Sequence, residues 1–216
     1  MKLKIKILND SGHLTFLEEK VKRVVNNVEK KLKTLFSFKE INITFKEAEN
    51  PELLKDLSGI GAYCPAGNFI QISFDINQKI FEKNIEKALW HELHHALRRQ
   101  AGIEIDKSSF LESVFSEGLA DFFVYQMTGE LSEWITPIKK EEFNFLLEKF
   151  KKIAHKKFNE QDYEIWFLKG SEKENIPKWA GYVLGFKIVK NFLETNTDYS
   201  LKILTSTSVD QINLKL

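Results

Sequence analysis

Apolar and polar residues alternate over three short segments, residues 3–7, 41–45 and 69–74. Because side chains two positions apart lie on the same face of a strand, each segment predicts a half-buried strand. The third segment is expected to form a hairpin with the stretch around Ala62-Tyr63. The remainder of residues 50–68 is rich in Gly and Pro, which predicts a loop.

Apolar residues recur every three to four positions over residues 15–35, which predicts an amphipathic helix. From residue 84 onward the same spacing dominates and predicts four more helices, over residues 84–100, 109–128, 140–157 and 178–195. Residues 158–176 are polar and irregular, and the tail after Asp198 fits either a short helix or an extended segment. Because strands come first and helices follow, the pattern favours an α+β fold.

Composition narrows the class of protein. The 216 residues carry a formal net charge of +1, whereas a nucleic-acid binder normally shows a basic excess. One cysteine excludes an intrachain disulfide framework and a cysteine-rich zinc module. No apolar run is long enough for a transmembrane helix, and the alternating N-terminus lacks the unbroken apolar core of a signal peptide. We therefore expect a cytoplasmic protein that binds neither nucleic acid nor membrane, and its oligomeric state stays undetermined.

The stretch Trp90-His91-Glu92-Leu93-His94-His95 carries the strongest chemical signal. Residues four apart share one face of a helix, so His91 and His95 can reach the same metal ion. Glu92 lies about 100° further around the helix. That offset lets it address a water on the metal without being a ligand. Zinc suits two neutral imidazoles with a carboxylate and leaves a fourth position for the water.

A second cluster follows in Ser116-Glu117-Gly118-Leu119-Ala120-Asp121. Glu117 and Asp121 are also four apart, on a predicted helix whose other residues are mostly apolar. Burying two carboxylates there is costly unless a cation offsets the charge. The simplest assignment makes Glu117 the third metal ligand, with Asp121 accepting the other ring N–H of a ligand histidine.

These two strings, with Gly181-Tyr182-Val183-Leu184-Gly185 further on, resemble the gluzincin branch of zinc metallopeptidases. Within that branch the chain looks most like the predicted zinc-dependent proteases of domain of unknown function 2268. The resemblance implies one zincin-like domain over 1–216, with a strand-rich lobe at 1–80, containing a small mixed sheet, and a helical lobe at 81–216 that carries the metal site.

The resemblance also implies a mechanism. Zinc would be held by His91, His95 and Glu117, and Glu92 would act as general base on the metal-activated water that attacks a peptide bond. Tyr182 is a candidate donor to the oxyanion. An edge strand near the zinc would pair with an extended substrate, a role suggested for residues 61–63 and 69–74.

The sequence alone is also compatible with other functions. The chain could bind zinc as a regulatory or binding module without hydrolysing peptides, or it could hydrolyse a non-peptide amide. It could also be an interaction protein without a metal, in which the spacing of the histidine pair is a coincidence. Cys64 is interpreted as an ordinary small residue or, alternatively, a loose metal ligand or redox-sensitive thiol. His94 is expected at the surface or behind the ligands, and His155 in solvent.

Overall fold

The structure, a computed structural model, describes residues 1–104, 109–157 and 159–214. It divides into two compact units, Met1–Ala101 and Gly102–Leu216. Within the described residues, a four-stranded sheet lies in the first unit, and the second unit is mainly helical. The expected α+β class with a small mixed sheet is therefore confirmed, whereas the single zincin-like domain stays a prediction.

The first unit is built on a mixed sheet with the strand order β1-β2-β4-β3. Strands β1 (Leu3–Ile7), β2 (Ile41–Glu47) and β4 (Phe69–Phe74) run parallel, and β3 (Ile60–Ala66) is antiparallel to β4. The chain crosses from β1 to its parallel neighbour through helix α1 (Thr15–Leu35). The alternating segments and the amphipathic helix predicted from the sequence are confirmed.

The order of the strands corrects one expectation. Residues 69–74 form β4, which pairs with β2 on one side and β3 on the other, so this strand is not at the edge. The hairpin with the stretch around residues 62–63 is confirmed, and its outer strand β3 is the edge.

The loop predicted over residues 50–68 is wrong over two segments. A 3₁₀ helix spans Pro51–Leu57, and strand β3 follows it. Proline cannot donate to a strand ladder, and the pairing register shifts between Tyr63 and Ala66, around Pro65. An edge strand tolerates such a residue, which is why a stretch rich in Gly and Pro can still pair.

Helix α2 (Glu82–Gln100) begins two residues earlier than predicted and packs against β3 and β4, while α1 packs against β1 and α2. Glu82 in its first turn and Arg98 and Arg99 in its last turn complement the helix dipole. Between Leu89 and Arg98 every side chain of α2 is buried, polar ones included.

The second unit contains five described α-helices, one π-helical turn and one 3₁₀ turn. The helices are α3 (Phe110–Thr128), α4 (Lys140–Lys151), α5 (Glu160–Tyr163), α6 (Ala180–Thr195) and α7 (Leu201–Thr205). A π-helical turn over Glu164–Lys169 follows α5, and a 3₁₀ turn over Val209–Gln211 follows α7. The long helices α3 and α6 pack against each other and form the centre of this unit.

The predicted helix over 140–157 is too long, because α4 ends at Lys151. Beyond it, the carbonyls of Ala154 and Lys156 accept the N–H groups of Leu111 and Phe110 at 2.8 and 2.9 Å. Those two N–H groups belong to the first turn of α3 and have no partner within that helix. The segment after α4 therefore turns to satisfy them.

The irregular segment predicted over 158–176 is wrong over 160–169, which are α5 and the π-helical turn, while Phe158 lies outside the described residues. For the tail after Asp198 the sequence allows a short helix or an extended segment. Up to the last described residue, 214, the structure has the short helix α7 and a 3₁₀ turn.

In the described part of the chain, no helix is both long and apolar enough to cross a membrane. The cytoplasmic location stays a prediction.

Candidate metal centre

Helix α2 carries the histidine pair where its side chains are least exposed to solvent. His91 and His95 retain 6% and 7% of their accessible surface, and Glu92 retains 7%. The apolar neighbours Trp90 and Leu93 are fully buried. His91 and His95 are four residues apart, so both imidazoles lie on the same face of the helix.

The two imidazoles converge. Nε2 of His91 and Nε2 of His95 are 3.1 Å apart, and the ring centroids are 4.8 Å apart with an angle of 75° between the planes. Two nitrogens that each bind zinc at about 2.0–2.1 Å in tetrahedral geometry are about 3.3 Å apart. The observed separation thus fits two ligands of one ion.

One set of His, Cys, Asp or Glu side chains among the described residues can hold a metal ion, and it consists of His91, His95 and Glu117. One ligand atom from each lies within 4.8 Å of the others. The donors are two imidazole nitrogens and a carboxylate oxygen, a combination that suits zinc. These three residues therefore fit zinc, the metal predicted from the sequence.

Asp121, four residues after Glu117 on α3, is 1% exposed. Its Oδ1 accepts a hydrogen bond from Ser132 Oγ at 2.7 Å, and its Oδ2 accepts one from the indole Nε1 of Trp134 at 2.9 Å. These bonds offset the cost of burying the carboxylate. A carboxylate has about four acceptor positions, so both oxygens can accept further bonds. The role of Asp121 behind a ligand histidine stays a prediction.

Tyr182 lies in the first turn of α6 and is half-buried. Burial raises the pKa of its phenol well above the usual range, and a hydrogen bond with Tyr163 and the negative charges of Glu117 and Asp121 raise the pKa further. The phenol is therefore protonated at neutral pH. The charges of the two carboxylates act on the phenol because all three groups lie on the packed pair α3 and α6.

The close approach of α3 and α6 has a local cause. A Cβ added to Gly118 would be 2.2 Å from the backbone carbonyl of Gly185, and one added to Gly185 would be 2.3 Å from the carbonyl oxygen of Val114. Only glycine at both positions lets the backbones meet. Gly118 follows Glu117 directly and Gly185 is three residues after Tyr182, so this contact brings the two functional segments together.

Three residues of unassigned role are also located. His94 is fully buried, so the surface position expected as one alternative is wrong. His155 is exposed, as expected. Cys64 is 3% exposed on β3, its thiol donates to the carbonyl oxygen of Ala66, and it is not part of the set that can hold a metal among the described residues.

Sequence reasoning missed the residues that hold Asp121 and Tyr182. Ser132 and Trp134 follow the end of α3 in a segment without periodicity, and Tyr163 lies where the sequence predicts no regular structure. No signal in one sequence connects an isolated Ser-Glu-Trp stretch with a carboxylate eleven to thirteen residues earlier.

A sequence model of the family described as "Predicted Zn-dependent protease (DUF2268)" matches residues 19–213. The chain belongs to this family. The resemblance to this family, stated from the sequence, is therefore confirmed, and the family's description supports zinc-dependent proteolysis in general. The assignment to the gluzincin branch stays a prediction.

A relative in Bacillus subtilis (strain 168), the uncharacterized protein YjaZ, is 31% identical over 137 residues. The alignment covers 59% of this chain and 50% of the relative, so the chain spans about half the length of the curated relative it matches. No solved structure matches the chain significantly.

Proposed function

We propose that the protein is a zinc-dependent peptidase of zincin-like fold that hydrolyses peptide bonds in peptides or proteins. The observation that carries the proposal is the convergence of ligand atoms from His91, His95 and Glu117 within 4.8 Å. Membership in a family described as predicted zinc-dependent proteases supports the same activity.

The bound zinc would supply Lewis acidity, which lowers the pKa of a coordinated water and polarises the carbonyl of the scissile amide. The three ligands supply one negative charge in total, so the site keeps a net positive charge that attracts the carbonyl oxygen. The ligand histidines must be neutral to bind, so zinc affinity falls as the pH drops through the range where imidazole is protonated.

Glu92 acts as the general base. Its neighbour His91 is a ligand, and the turn of about 100° between adjacent helix positions directs the Glu92 carboxylate beside the metal rather than onto it. The carboxylate takes the proton of the attacking water and transfers it to the leaving amine. Because Glu92 is 7% exposed, bulk water has little access to this proton transfer.

Tyr182 and Asp121 complete the proposed machinery. The phenol of Tyr182, protonated at neutral pH, donates a hydrogen bond to the oxygen on which charge develops during attack. Asp121 orients a ligand histidine by accepting its second ring N–H.

Strand β3 is the proposed platform for the substrate. It is an edge of the sheet, and Tyr63 on it is 60% exposed. An extended peptide can add to such an edge through main-chain hydrogen bonds.

The metal is tested first, by elemental analysis of the purified protein after reconstitution with zinc at neutral pH. We expect about one zinc per wild-type chain and much less in Glu117→Ala, which lacks one of three ligands. Glu141→Ala, which removes an exposed carboxylate on α4, is the matched control and should keep its zinc. A wild-type protein without zinc would contradict the proposal.

The chemistry is tested with Glu92→Gln in a peptide-library cleavage assay. Glutamine has nearly the same shape but cannot take a proton, so this variant should keep its zinc and lose about 10²–10⁴-fold in rate. Cleavage at the wild-type rate by the zinc-loaded variant would show that Glu92 is not the base. Zinc without any cleavage in the wild type would point to a binding module.

A further inference from the structure

The ring of Tyr182 is enclosed by aromatic side chains from other segments of the second unit. The Trp134 ring lies 5.2 Å away with 41° between the planes, and the Phe167 ring lies 4.9 Å away, nearly perpendicular. Tyr163 stacks on Phe167 at 4.7 Å and is hydrogen-bonded with the Tyr182 phenol. We call Trp134, Phe167 and Tyr163 the aromatic clamp.

Trp134 differs from the other members of the aromatic clamp because its own ring is anchored by a charge. Its indole N–H donates to Oδ2 of Asp121 at 2.9 Å, and Ser132 Oγ fixes the other oxygen of the same carboxylate at 2.7 Å. A hydrogen bond to an ionised acceptor is about twice as strong as one between neutral groups. The plane of the indole is therefore set by Asp121.

We propose that Trp134 is a positioning residue, which holds the Tyr182 ring in place through a ring contact that is itself fixed by its indole hydrogen bond to Asp121. This inference rests on the proposed function, because it gives Trp134 a role only if Tyr182 donates to the reacting oxygen. It assigns a function to the segment after α3, which the sequence leaves without one.

Such a donor needs a precise position. A phenol stabilises a developing oxyanion only if its oxygen lies at about 2.7–3.1 Å from that atom. A displacement of about 1 Å can cost about 100-fold in rate. Tyr182 stands on the first turn of α6, so packing from outside the helix must set the direction of its ring. Trp134 and Phe167 both supply that packing.

The test is a double-mutant cycle with Trp134→Ala and Tyr182→Phe, measured as kcat and KM on a peptide that the wild type cleaves. Each single variant should lower kcat, Tyr182→Phe by about 100-fold and Trp134→Ala by about 10-fold or more, with KM changed less than about twofold. In the double variant kcat should fall by no more than about threefold beyond Tyr182→Phe alone, since Trp134 acts through the phenol.

Trp134→Phe covers the case in which Trp134→Ala does not fold. It keeps a ring beside Tyr182 but lacks the N–H, so kcat should fall less, and this loss too should vanish when Tyr182→Phe is present. Phe145→Ala is the control, because it removes an exposed aromatic ring on α4. Its effect on kcat should be the same with or without Tyr182→Phe.

The chemical shifts of the Tyr182 ring protons in NMR spectra provide a measurement that does not depend on catalytic activity. These signals are assigned by their loss in Tyr182→Phe. Removing the Trp134 ring should move these signals, and Phe145→Ala should move them little. Effects of Trp134→Ala and Tyr182→Phe that simply multiply would overturn the inference while leaving the peptidase in place. A wild-type protein that binds no zinc and cleaves no peptide would contradict both the proposed function and the role of Trp134.

Discussion

Two carboxylates on α3 are buried to the same extent and are stabilised by different partners. Glu112 and Asp121 are each 1% exposed. Glu112 accepts hydrogen bonds from Ser116 Oγ at 2.9 Å, Ser208 Oγ at 3.0 Å and the backbone N–H of Val209 at 2.7 Å. It thus connects the start of α3 to the C-terminal 3₁₀ turn, whereas Asp121 faces the segment that follows α3. The two carboxylates are thus equally buried, and they differ in the segments to which their hydrogen bonds connect α3.

Replacing Glu112 tests the structural role. In Glu112→Ala the buried N–H of Val209 and two hydroxyls lose their acceptor, so we expect the free energy of unfolding to fall by about 2–4 kcal/mol. Urea unfolding followed by circular dichroism measures it. Glu141→Ala, which removes an exposed carboxylate, should change the same quantity by less than about 0.5 kcal/mol. A loss in Glu112→Ala no larger than this control would show that the C-terminal turn does not depend on the carboxylate.

The sequence predicted half of this arrangement. Ser109 and Glu112 have the spacing of a capping box, and the Ser109 hydroxyl does accept the backbone N–H of Glu112. The side chain of Glu112 is bonded to residues almost a hundred positions later. Local spacing predicts a local bond, and it contains no information about a partner that only folding brings near.

At the scale of elements, the packing of α3 against α6 depends on glycine in each helix. In an exposed helix interior, Gly→Ala stabilises by about 0.5–1 kcal/mol, since alanine loses less backbone entropy on folding. At Gly185 the added Cβ would overlap the carbonyl oxygen of Val114, with 2.3 Å between them. The clash therefore reverses the sign that helix propensity predicts.

Gly185→Ala should accordingly lower the free energy of unfolding by about 3 kcal/mol or by enough to prevent folding. Gly129→Asn is the matched control, since Gly129 ends α3 with a φ of 75° and a Cβ there would meet nothing within 4 Å. Asparagine tolerates this backbone conformation, so the control should cost less than about 1 kcal/mol. Equal midpoints of thermal unfolding for the two variants would contradict the interpretation of the helix contact.

At the scale of the whole molecule, a metal that binds the folded chain raises its stability by mass action. With free zinc at about 100 times its dissociation constant, the gain is about 2.7 kcal/mol. For a chain of this length the gain corresponds to a rise in Tm of about 5–10 °C. Excess chelator should remove this increment from the wild-type protein.

The measurement is a thermal melt of the zinc-loaded protein with and without chelator. His95→Ala, which lacks one proposed ligand, should melt at the same temperature in both conditions. A wild-type Tm that does not change with chelator would contradict a stabilising metal, and an equal shift in His95→Ala would place the metal elsewhere.

The sequence by itself determined what depends on short-range repetition. Strands β1, β2 and β4 follow from alternation, helices α1, α2, α3 and α6 from a period of 3.6, and the histidine pair from a spacing of four on a helix. These features are local because the geometry of a helix or strand determines which residues of a short segment share a face. The family membership follows from the same motifs.

Only the tertiary structure decided which partners lie far apart in the chain. It placed β3 at the edge of the sheet and β4 inside it, and it joined Glu112 to the C-terminal turn. It also brought Trp134 onto Asp121 and Tyr182. Each of these contacts forms between segments that have no common period. Which segments contact each other depends on how whole helices and strands pack. The pattern of apolar and polar residues within one segment does not specify its distant partner.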